Sequence, residues 1–161
     1  MRLTTKNTID APAEMVFDSI LNFAGARRDA VPEGARVART DRLEQPGPGM
    51  TWELVFDLLG QRREMHLRLL SCDRPGRMEF KGTSPGLDIE CTAQLSSPEA
   101  GRTVLALVID IKPQNLSARI LVQSLKLAKY QVSRRIEDKL GGFCRGIEAR
   151  AKQGTGANQS A

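Results

Sequence analysis

Apolar and polar residues alternate through the middle of the chain, between Met50 and Ile111. Turn-forming residues interrupt the alternation at Gly60-Gln61, at Pro75-Gly76 and at Pro85-Gly86. A period of two is typical of strands with one buried and one solvent-facing side, and short turns between such strands indicate antiparallel pairing. The pattern predicts consecutive strands over residues 50–58, 64–69, 78–81, 87–95 and 103–111.

Shorter elements precede this region. Residues 3–9 are β-prone and predict a strand, and residues 36–41 predict a second, more polar strand. Between them, Pro12 suits the first turn of a helix. The apolar positions of that helix step by three or four residues, at Phe17, Ile20, Leu21 and Ala24. Gly25 can end it, and a second short helix is predicted over residues 26–29.

The period changes to about 3.6 residues after Pro113. Asn115 can cap a helix there, and this helix is predicted to reach about Lys152. Its apolar stripe consists of Leu121, Leu125, Ala128, Val132, Ile136, Leu140, Phe143 and Ile147. The pair Gly141-Gly142 predicts a bend or a close backbone contact within it. Residues 153–161 are small and polar and predict a disordered tail, so the folded domain is expected to span residues 1–152.

The composition is that of one ordinary domain. The 161 residues are 40% hydrophobic and 27% charged, and the longest aliphatic run, 104–109, is far short of the about 20 residues that a membrane helix needs. No apolar leader follows Arg2. The cysteines, Cys72, Cys91 and Cys144, are odd in number and contain no CxxC pair. We therefore expect a cytoplasmic protein without a disulfide framework.

Positive charge is concentrated in the last third of the chain. The net charge is +5, but residues 112–161 hold ten basic and three acidic residues, a net charge of +7. Residues 1–111 carry a net charge of −2. Such asymmetry is consistent with a simple solvated helix face, or with weak contact between residues 112–152 and an anionic membrane. Nucleic acid is disfavoured as a partner, because the basic segment lacks interleaved aromatic residues and a known motif.

The order of elements is a strand, a helix pair, a run of antiparallel strands and one long C-terminal helix. Together with residues 9–23, IDAPAEMVFDSILNF, and the step GMTW at residues 49–52, this order resembles the SRPBCC superfamily of START, birch-pollen-allergen and polyketide-cyclase proteins. The resemblance covers about residues 1–150. It implies an α+β helix-grip fold, in which a curved antiparallel sheet wraps around a long C-terminal helix, with two short helices after the first strand.

The resemblance also implies a cavity between the sheet and the long helix that holds an apolar or amphipathic ligand. The candidate ligand-binding residues share the parity of the buried strand face or lie on the facing helix: Trp52, Leu54, Phe56, Met65, Leu67, Met78, Phe80, Ile89, Cys91, Leu121, Leu125 and Val132. The same residues would serve equally well to fill a solid core, and periodicity alone does not separate the two arrangements.

Candidate catalytic groups are few. His66 is the only histidine, and by alternation it shares the solvent-facing side with Glu53 and Asp57, away from the predicted cavity. Cys91 shares the buried parity, but no histidine accompanies it, and the role of a small buried hydrophobe suits it better. The sequence contains no phosphate-binding loop, no GxGxxG motif and no cluster of metal ligands, so we predict no cofactor, no metal and no catalytic residues.

Two functions follow from the resemblance. The first is non-enzymatic binding or transfer of an apolar small molecule or lipid. The alternative is a polyketide cyclase or dehydratase that acts on a hydrophobic substrate in the same cavity. Several polar groups converging in the cavity would favour the enzyme, and a uniformly apolar lining would favour the carrier. We expect the carrier, because the buried parity offers few polar groups.

Overall fold

The computed structural model describes residues 1–22 and 35–159. The elements in chain order are β1 (Arg2–Ile9), α1 (Ala13–Leu21), β2 (Arg36–Arg39), β3 (Thr51–Leu58), β4 (Gln61–Asp73), β5 (Arg77–Ser84), β6 (Leu87–Glu99), β7 (Arg102–Pro113), α2 (Leu116–Leu127) and α3 (Lys129–Gln159).

The strands form one seven-stranded sheet in the order β1-β7-β6-β5-β4-β3-β2. Every neighbouring pair is antiparallel, so the chain runs from β2 to β7 as successive hairpins, and β1 then pairs with β7. The sheet is curved, with the helices on its concave side. The predicted α+β helix-grip fold is confirmed, and β4 and β6, at 13 residues each, are longer than the alternation indicated.

The C-terminal helix differs from the prediction in two respects. It is two helices, because α2 ends at Leu127 and α3 begins at Lys129, with Ala128 at φ −96° and ψ 16° between them. The sequence predicted a bend or a close backbone contact at Gly141 or Gly142, and the close contact is wrong. The helix continues through Gly141-Gly142, and the atom that a Cβ at Gly141 would meet first, at 3.2 Å, belongs to the Arg145 side chain of the same helix.

Of three further expectations from the sequence, the structure confirms one, differs from the second and does not describe the third. Asn115 caps α2 as predicted, with its Oδ1 accepting a hydrogen bond of 2.8 Å from the backbone N–H of Ala118. Residues 153–159 continue α3 where the sequence predicted a disordered tail. The predicted second helix at residues 26–29 lies outside the described residues.

Helix α1 closes one end of the concave side. Its Val16, Phe17 and Leu21 are buried in the main core. The Arg74 guanidinium lies 4.6 Å from the centroid of the Phe17 ring, and Glu14 on the exposed side of α1 accepts a hydrogen bond of 3.0 Å from it. A cation over an aromatic face and a charged hydrogen bond together hold α1 to the β4–β5 turn.

Two packed clusters cover the concave face. The larger joins α1, the sheet and the C-terminal half of α3, and its buried members include Ile9, Trp52, Phe80 and Ile147. The smaller consists of Leu87, Ala118 and Val122, with Met1, Ile111 and Leu121 packed against it. The larger cluster reaches β3, β4 and β5 through Trp52, Leu69 and Phe80, whereas Phe56, Met65 and Ile89 belong to neither cluster. The strip of the concave face that contains these three residues is where a ligand site must be sought.

Candidate ligand-binding site

Residues that pair across neighbouring strands form rows on the concave face. One row runs across four strands through Trp52, Leu67, Gly82 and Ile89. The next row toward the β3–β4 turn starts with Leu54 and Met65, and the row after it with Phe56 and Arg63. Since side chains alternate between the two faces of a strand, these residues all belong to the side that α2 and α3 cover.

The helices approach only one half of this face. Cα atoms of α1, α2 and α3 come within 8 Å of strands β1, β6 and β7 at several positions, and within the described residues no helix comes comparably close to β3, β4 or β5. The described helices therefore lie closest to the β1, β6 and β7 side of the face.

Some of the predicted ligand-binding residues are buried and the others are half-buried. Trp52, Met78, Phe80 and Leu125 are buried, and the Trp52 and Phe80 rings pack at 5.9 Å between centroids. The other predicted residues are only half-buried, although they lie on the concave face or on the inner faces of the helices: Leu54, Phe56, Met65, Leu67, Ile89, Cys91, Leu121 and Val132. Leu54, Leu67 and Cys91 pack against the larger cluster and Leu121 against the smaller one. The remaining four, Phe56, Met65, Ile89 and Val132, belong to neither cluster.

Gly82 shapes the concave surface between β4 and β6. A Cβ at this position would lie 3.0 Å from the Met65 sulfur and 3.3 Å from the Ile89 Cβ. The missing side chain therefore lets Met65 lie across the strand. Methionine is flexible and polarisable, so this part of the surface can adapt to the shape of a ligand.

Helix α3 carries a further set of half-buried apolar side chains. Val132, Ile136 and Leu140 follow one another at i+4 spacing on the face that also carries the buried Ile147, and all three are half-buried. None of the three belongs to either packed cluster.

Arg63 is the residue that sequence reasoning missed. It stands opposite Phe56 in the β3–β4 register, on the concave side. Its Nη2 donates to the backbone oxygen of Pro85 at 2.8 Å and to Ser84 Oγ at 3.3 Å. Its Nε is buried, and within the described residues it has no hydrogen-bond partner. The alternation contained the signal, because Arg63 has the same parity as Met65.

The polar groups of the concave face do not converge. Arg63 and Ser84 lie near the β5–β6 turn, whereas the buried Thr103 donates to the backbone oxygen of Ala11 at 2.8 Å, beside α1. Thr5 Oγ1 is buried on β1 and has no hydrogen-bond partner within the described residues. Groups divided between the two ends of the face do not form a single acid–base constellation.

The environments of Cys91 and Cys144 disfavour the thiolate form. Burial raises the pKa of Cys91 to about 12 and that of Cys144 to about 11. Nucleophilic cysteines need a thiolate and therefore a lowered pKa. The interpretation of Cys91 as a small buried hydrophobe agrees with this shift.

A charged pair lies at the β2 edge of the concave side. The Arg39 guanidinium donates two hydrogen bonds of 2.9 Å to the Asp41 carboxylate. The same carboxylate accepts from the backbone N–H groups of Leu43 and Thr51. Arg39, followed by these backbone donors, holds the pKa of Asp41 well below its usual range. The pair fixes the loop that enters β3.

The opposite, convex face carries a shallow depression of about 340 Å³. It holds His66, whose Nδ1 lies 3.5 Å from Glu53 Oε1, and both side chains are more than half exposed. Exposed pairs of this kind contribute between 0 and about 1 kcal/mol. The lining of the depression mixes polar and apolar residues and includes Leu54 and Met65. The exposure of the His66 side chain confirms the prediction that it is solvated.

No described helix is long and apolar enough to cross a membrane. No three His, Cys, Asp or Glu side chains in residues 1–22 and 35–159 come together as metal ligands.

A family model described as polyketide cyclase / dehydrase and lipid transport matches residues 1–148. The chain belongs to this family. Its helix-grip fold is of the SRPBCC type that the element order resembled. Among curated proteins, none matches the sequence.

Solved structures share the fold at low sequence identity. A protein from Thermus thermophilus is 17% identical with a TM-score of 0.73, covering 94% of this chain and 99% of its own. The ZhuI aromatase/cyclase from Streptomyces sp. R1128 is 16% identical with a TM-score of 0.67, over 95% and 94% of the two chains. A START superfamily protein from Mycobacterium smegmatis is 14% identical with a TM-score of 0.61, over 94% and 97%. At these identities the likeness concerns the fold.

Proposed function

We propose that this protein binds, and transfers, an apolar small molecule or lipid in the space between strands β3–β5 and helix α3. One observation carries the proposal: the concave-face side chains of Phe56 and Met65 are half-buried, belong to neither packed cluster, and lie on strands that no described helix approaches as closely as β1, β6 and β7. Leaving several large apolar side chains incompletely buried costs about 25 cal/mol for each Å² that stays in water. An apolar ligand that covers them recovers this free energy.

The lipid-transport part of the family description is consistent with this function. The second candidate function is a cyclase or dehydratase, which the same description and the aromatase/cyclase likeness support. The enzyme needs polar groups that converge on one substrate, whereas Arg63 and Thr103 lie at different ends of the concave face. The thiol of Cys91, with its raised pKa, adds no nucleophile. The carrier is therefore the better-supported function.

Two valines provide a test with a matched control. Val132 lies on the inner face of α3, and Val55 lies on the convex face beside the outer depression. Binding of dodecan-1-ol is measured by isothermal titration calorimetry for the wild type, Val132→Phe and Val55→Phe. Val132→Phe is expected to weaken binding at least about tenfold, the equivalent of about 1.4 kcal/mol, and Val55→Phe to leave it unchanged.

Each contrary result has a definite meaning. If Val55→Phe weakens binding and Val132→Phe does not, the ligand occupies the outer depression and the proposed site is wrong. If dodecan-1-ol does not bind and the freshly purified protein carries no lipid by native mass spectrometry, the carrier function itself is wrong.

A membrane is the partner that the outer face of α2 fits. Leu116, Ile120 and Leu127 lie within about 40° of one another around the helix and are 73%, 63% and 92% exposed. Arg119 and Lys126 flank this apolar stripe within a segment of strongly positive net charge. Apolar side chains that insert beside basic ones are typical of helices that lie on an anionic membrane surface. A carrier that docks through α2 brings its cavity to the lipid source.

Vesicle co-sedimentation tests this docking. We expect binding to vesicles that contain phosphatidylserine with phosphatidylcholine, weaker binding at high salt, and little binding to phosphatidylcholine alone. The triple variant Leu116→Ser, Ile120→Ser, Leu127→Ser should lose the binding. Leu70→Ser, which removes an exposed leucine from β4, should keep it. Binding that is absent, or indifferent to salt and to the triple variant, would contradict the docking.

A cytoplasmic location completes the proposal. Cys72, Cys91 and Cys144 are free thiols, which suits a reducing compartment.

A further inference from the structure

We infer that Arg63 is an anchor for an anionic headgroup, so that the ligand is an apolar chain ending in a carboxylate or phosphate. This inference rests on the proposed function, because it names the polar end of the ligand that the apolar strip would hold. It adds the requirement that the ligand carries a negative charge, which binding to the apolar strip alone would not impose.

The position of Arg63 suits this role. Phe56 faces it across the β3–β4 pair, and Met65 follows it on the same side of the strand. Leu67 lies four residues further along β4, about 13 Å away at the usual rise of about 3.3 Å per residue. A chain that starts at Arg63 and runs along the strip therefore crosses Met65, Leu54 and Leu67 in turn.

The end of the strip at Arg63 is built by the β5–β6 turn. Arg63 Nη2 donates to the Pro85 oxygen, and the next residue, Gly86, accepts from the backbone N–H of Gln114. A Cβ on Gly86, which has φ +76°, would lie 2.8 Å from the Asn115 side chain. The turn and the start of α2 are thus in direct contact, and Arg63 is fixed beside the point where they meet.

Among the described residues, nothing compensates the charge of Arg63. Within the described residues no carboxylate lies within salt-bridge distance of its guanidinium, whereas Arg39, which shares the concave parity, is bound to Asp41. The only side-chain hydrogen bonds of Arg63 to described residues go from Nη2 to the neutral oxygens of Ser84 and Pro85. Nε is shielded from water and has no partner among them. A partly desolvated cation with free donors favours an anion, and guanidinium matches carboxylate and phosphate geometry.

The simpler reading is that Arg63 only holds the β5–β6 turn in place. Its bond to the Pro85 oxygen serves that purpose, but it uses one nitrogen and needs no charge. The two roles differ in what they do to ligand preference. A structural role changes stability and affects all ligands alike, whereas an anchor affects only those with an anionic end.

The test compares three probes with the same chain: dodecanoic acid, dodecyl phosphate and dodecan-1-ol. Calorimetric titration of the wild-type protein is expected to show at least one anionic probe binding about tenfold more tightly than the alcohol, the equivalent of about 1.4 kcal/mol. The carboxylate and phosphate arms identify which headgroup fits. Arg63→Gln should abolish the preference while alcohol binding persists. Arg62→Gln is the control, because it removes the same charge from the same strand on the solvent-facing side and should keep the preference.

Equal binding of all three probes by the wild type would overturn the inference and leave the proposed function intact, and this comparison does not depend on whether a variant folds. An Arg63→Gln variant that loses alcohol and acid binding in the same proportion would show a purely structural role. If no probe binds, the proposed function fails and the inference fails with it.

Discussion

The same substitution at two valines should have opposite effects on stability if the strip over β3–β5 is open. Val122 on α2 is buried against Leu87 and Ala118 in the smaller packed cluster. Val132 on α3 is half-buried and belongs to neither packed cluster. Valine and phenylalanine have similar helix propensities, so replacing either valine by phenylalanine changes packing and little else.

The magnitudes follow from the two environments. At Val122 a phenyl ring has no free volume, and overpacking a filled core costs about 1–3 kcal/mol. At Val132 the ring enters open space, and burial of about 50 Å² of additional apolar surface contributes about 1 kcal/mol at about 25 cal/mol per Å². The two variants should therefore differ in their free energy of unfolding by about 2–4 kcal/mol.

Urea unfolding measures this difference directly. Trp52 is the only tryptophan and is fully buried, so its fluorescence reports loss of the main core, and far-ultraviolet circular dichroism checks that unfolding is a single transition. Val132→Phe should be as stable as the wild type or more stable, and Val122→Phe clearly less stable. If Val132→Phe is destabilised as much as Val122→Phe, the strip is a filled core and the reasoning is refuted.

Three further predictions concern single groups. Asn115→Ala removes the acceptor for the Ala118 N–H and should lower the free energy of unfolding by about 0.5–2 kcal/mol in urea titration, so an unchanged midpoint would contradict the cap. Because Arg39 lowers the pKa of Asp41, the stability that this carboxylate contributes is present above the unfolded-state pKa of about 3.9 and is lost as the pH falls toward the lower folded-state pKa. The stability difference between the wild type and Asp41→Asn should therefore shrink below about pH 3.9, and a difference that is constant with pH would contradict the pairing. Cys91, whose pKa burial raises to about 12, should resist alkylation by iodoacetamide at neutral pH until the protein unfolds, and rapid labelling of the native protein would show that the thiol is accessible.

Periodicity predicted the sheet well because each strand has one solvent-exposed and one buried face. The alternation around Trp52 and Leu67 assigned these residues to the inner side, and the register confirms the assignment. Alternation also placed Arg63 on that side, but a charged residue at the end of a hairpin reads as solvent-exposed when only hydrophobic positions are counted. The partners that hold it, in the β5–β6 turn, are about 20 residues away along the chain.

The helices were harder to predict than the strands, because helix propensity is a local property and does not describe tertiary packing. The residues around Ala128 are good helix formers, so the sequence indicated one continuous helix. The break at Ala128 lets Val122 face the smaller cluster while Ile147 faces the larger one. The helix also continues through Gly141 and Gly142, and Phe143 and Cys144, which follow them, pack in the larger cluster.

How far the interior is filled could not be read from the sequence at all. Buried Leu125 and half-buried Val132 occupy equivalent positions in the predicted stripe. Their difference arises from where α2 and α3 lie relative to the sheet, and in the described residues only β1, β6 and β7 are closely approached by helices.

The central claim is that an apolar ligand lies between β3–β5 and α3. Isotope-filtered nuclear Overhauser spectroscopy of the methyl-labelled protein with dodecan-1-ol tests it most directly. The account predicts intermolecular contacts from the ligand chain to the methyl groups of Leu54, Leu67, Ile89 and Val132. Contacts confined to the exterior methyl groups of α2, or contacts to Val55 on the convex face, would contradict it.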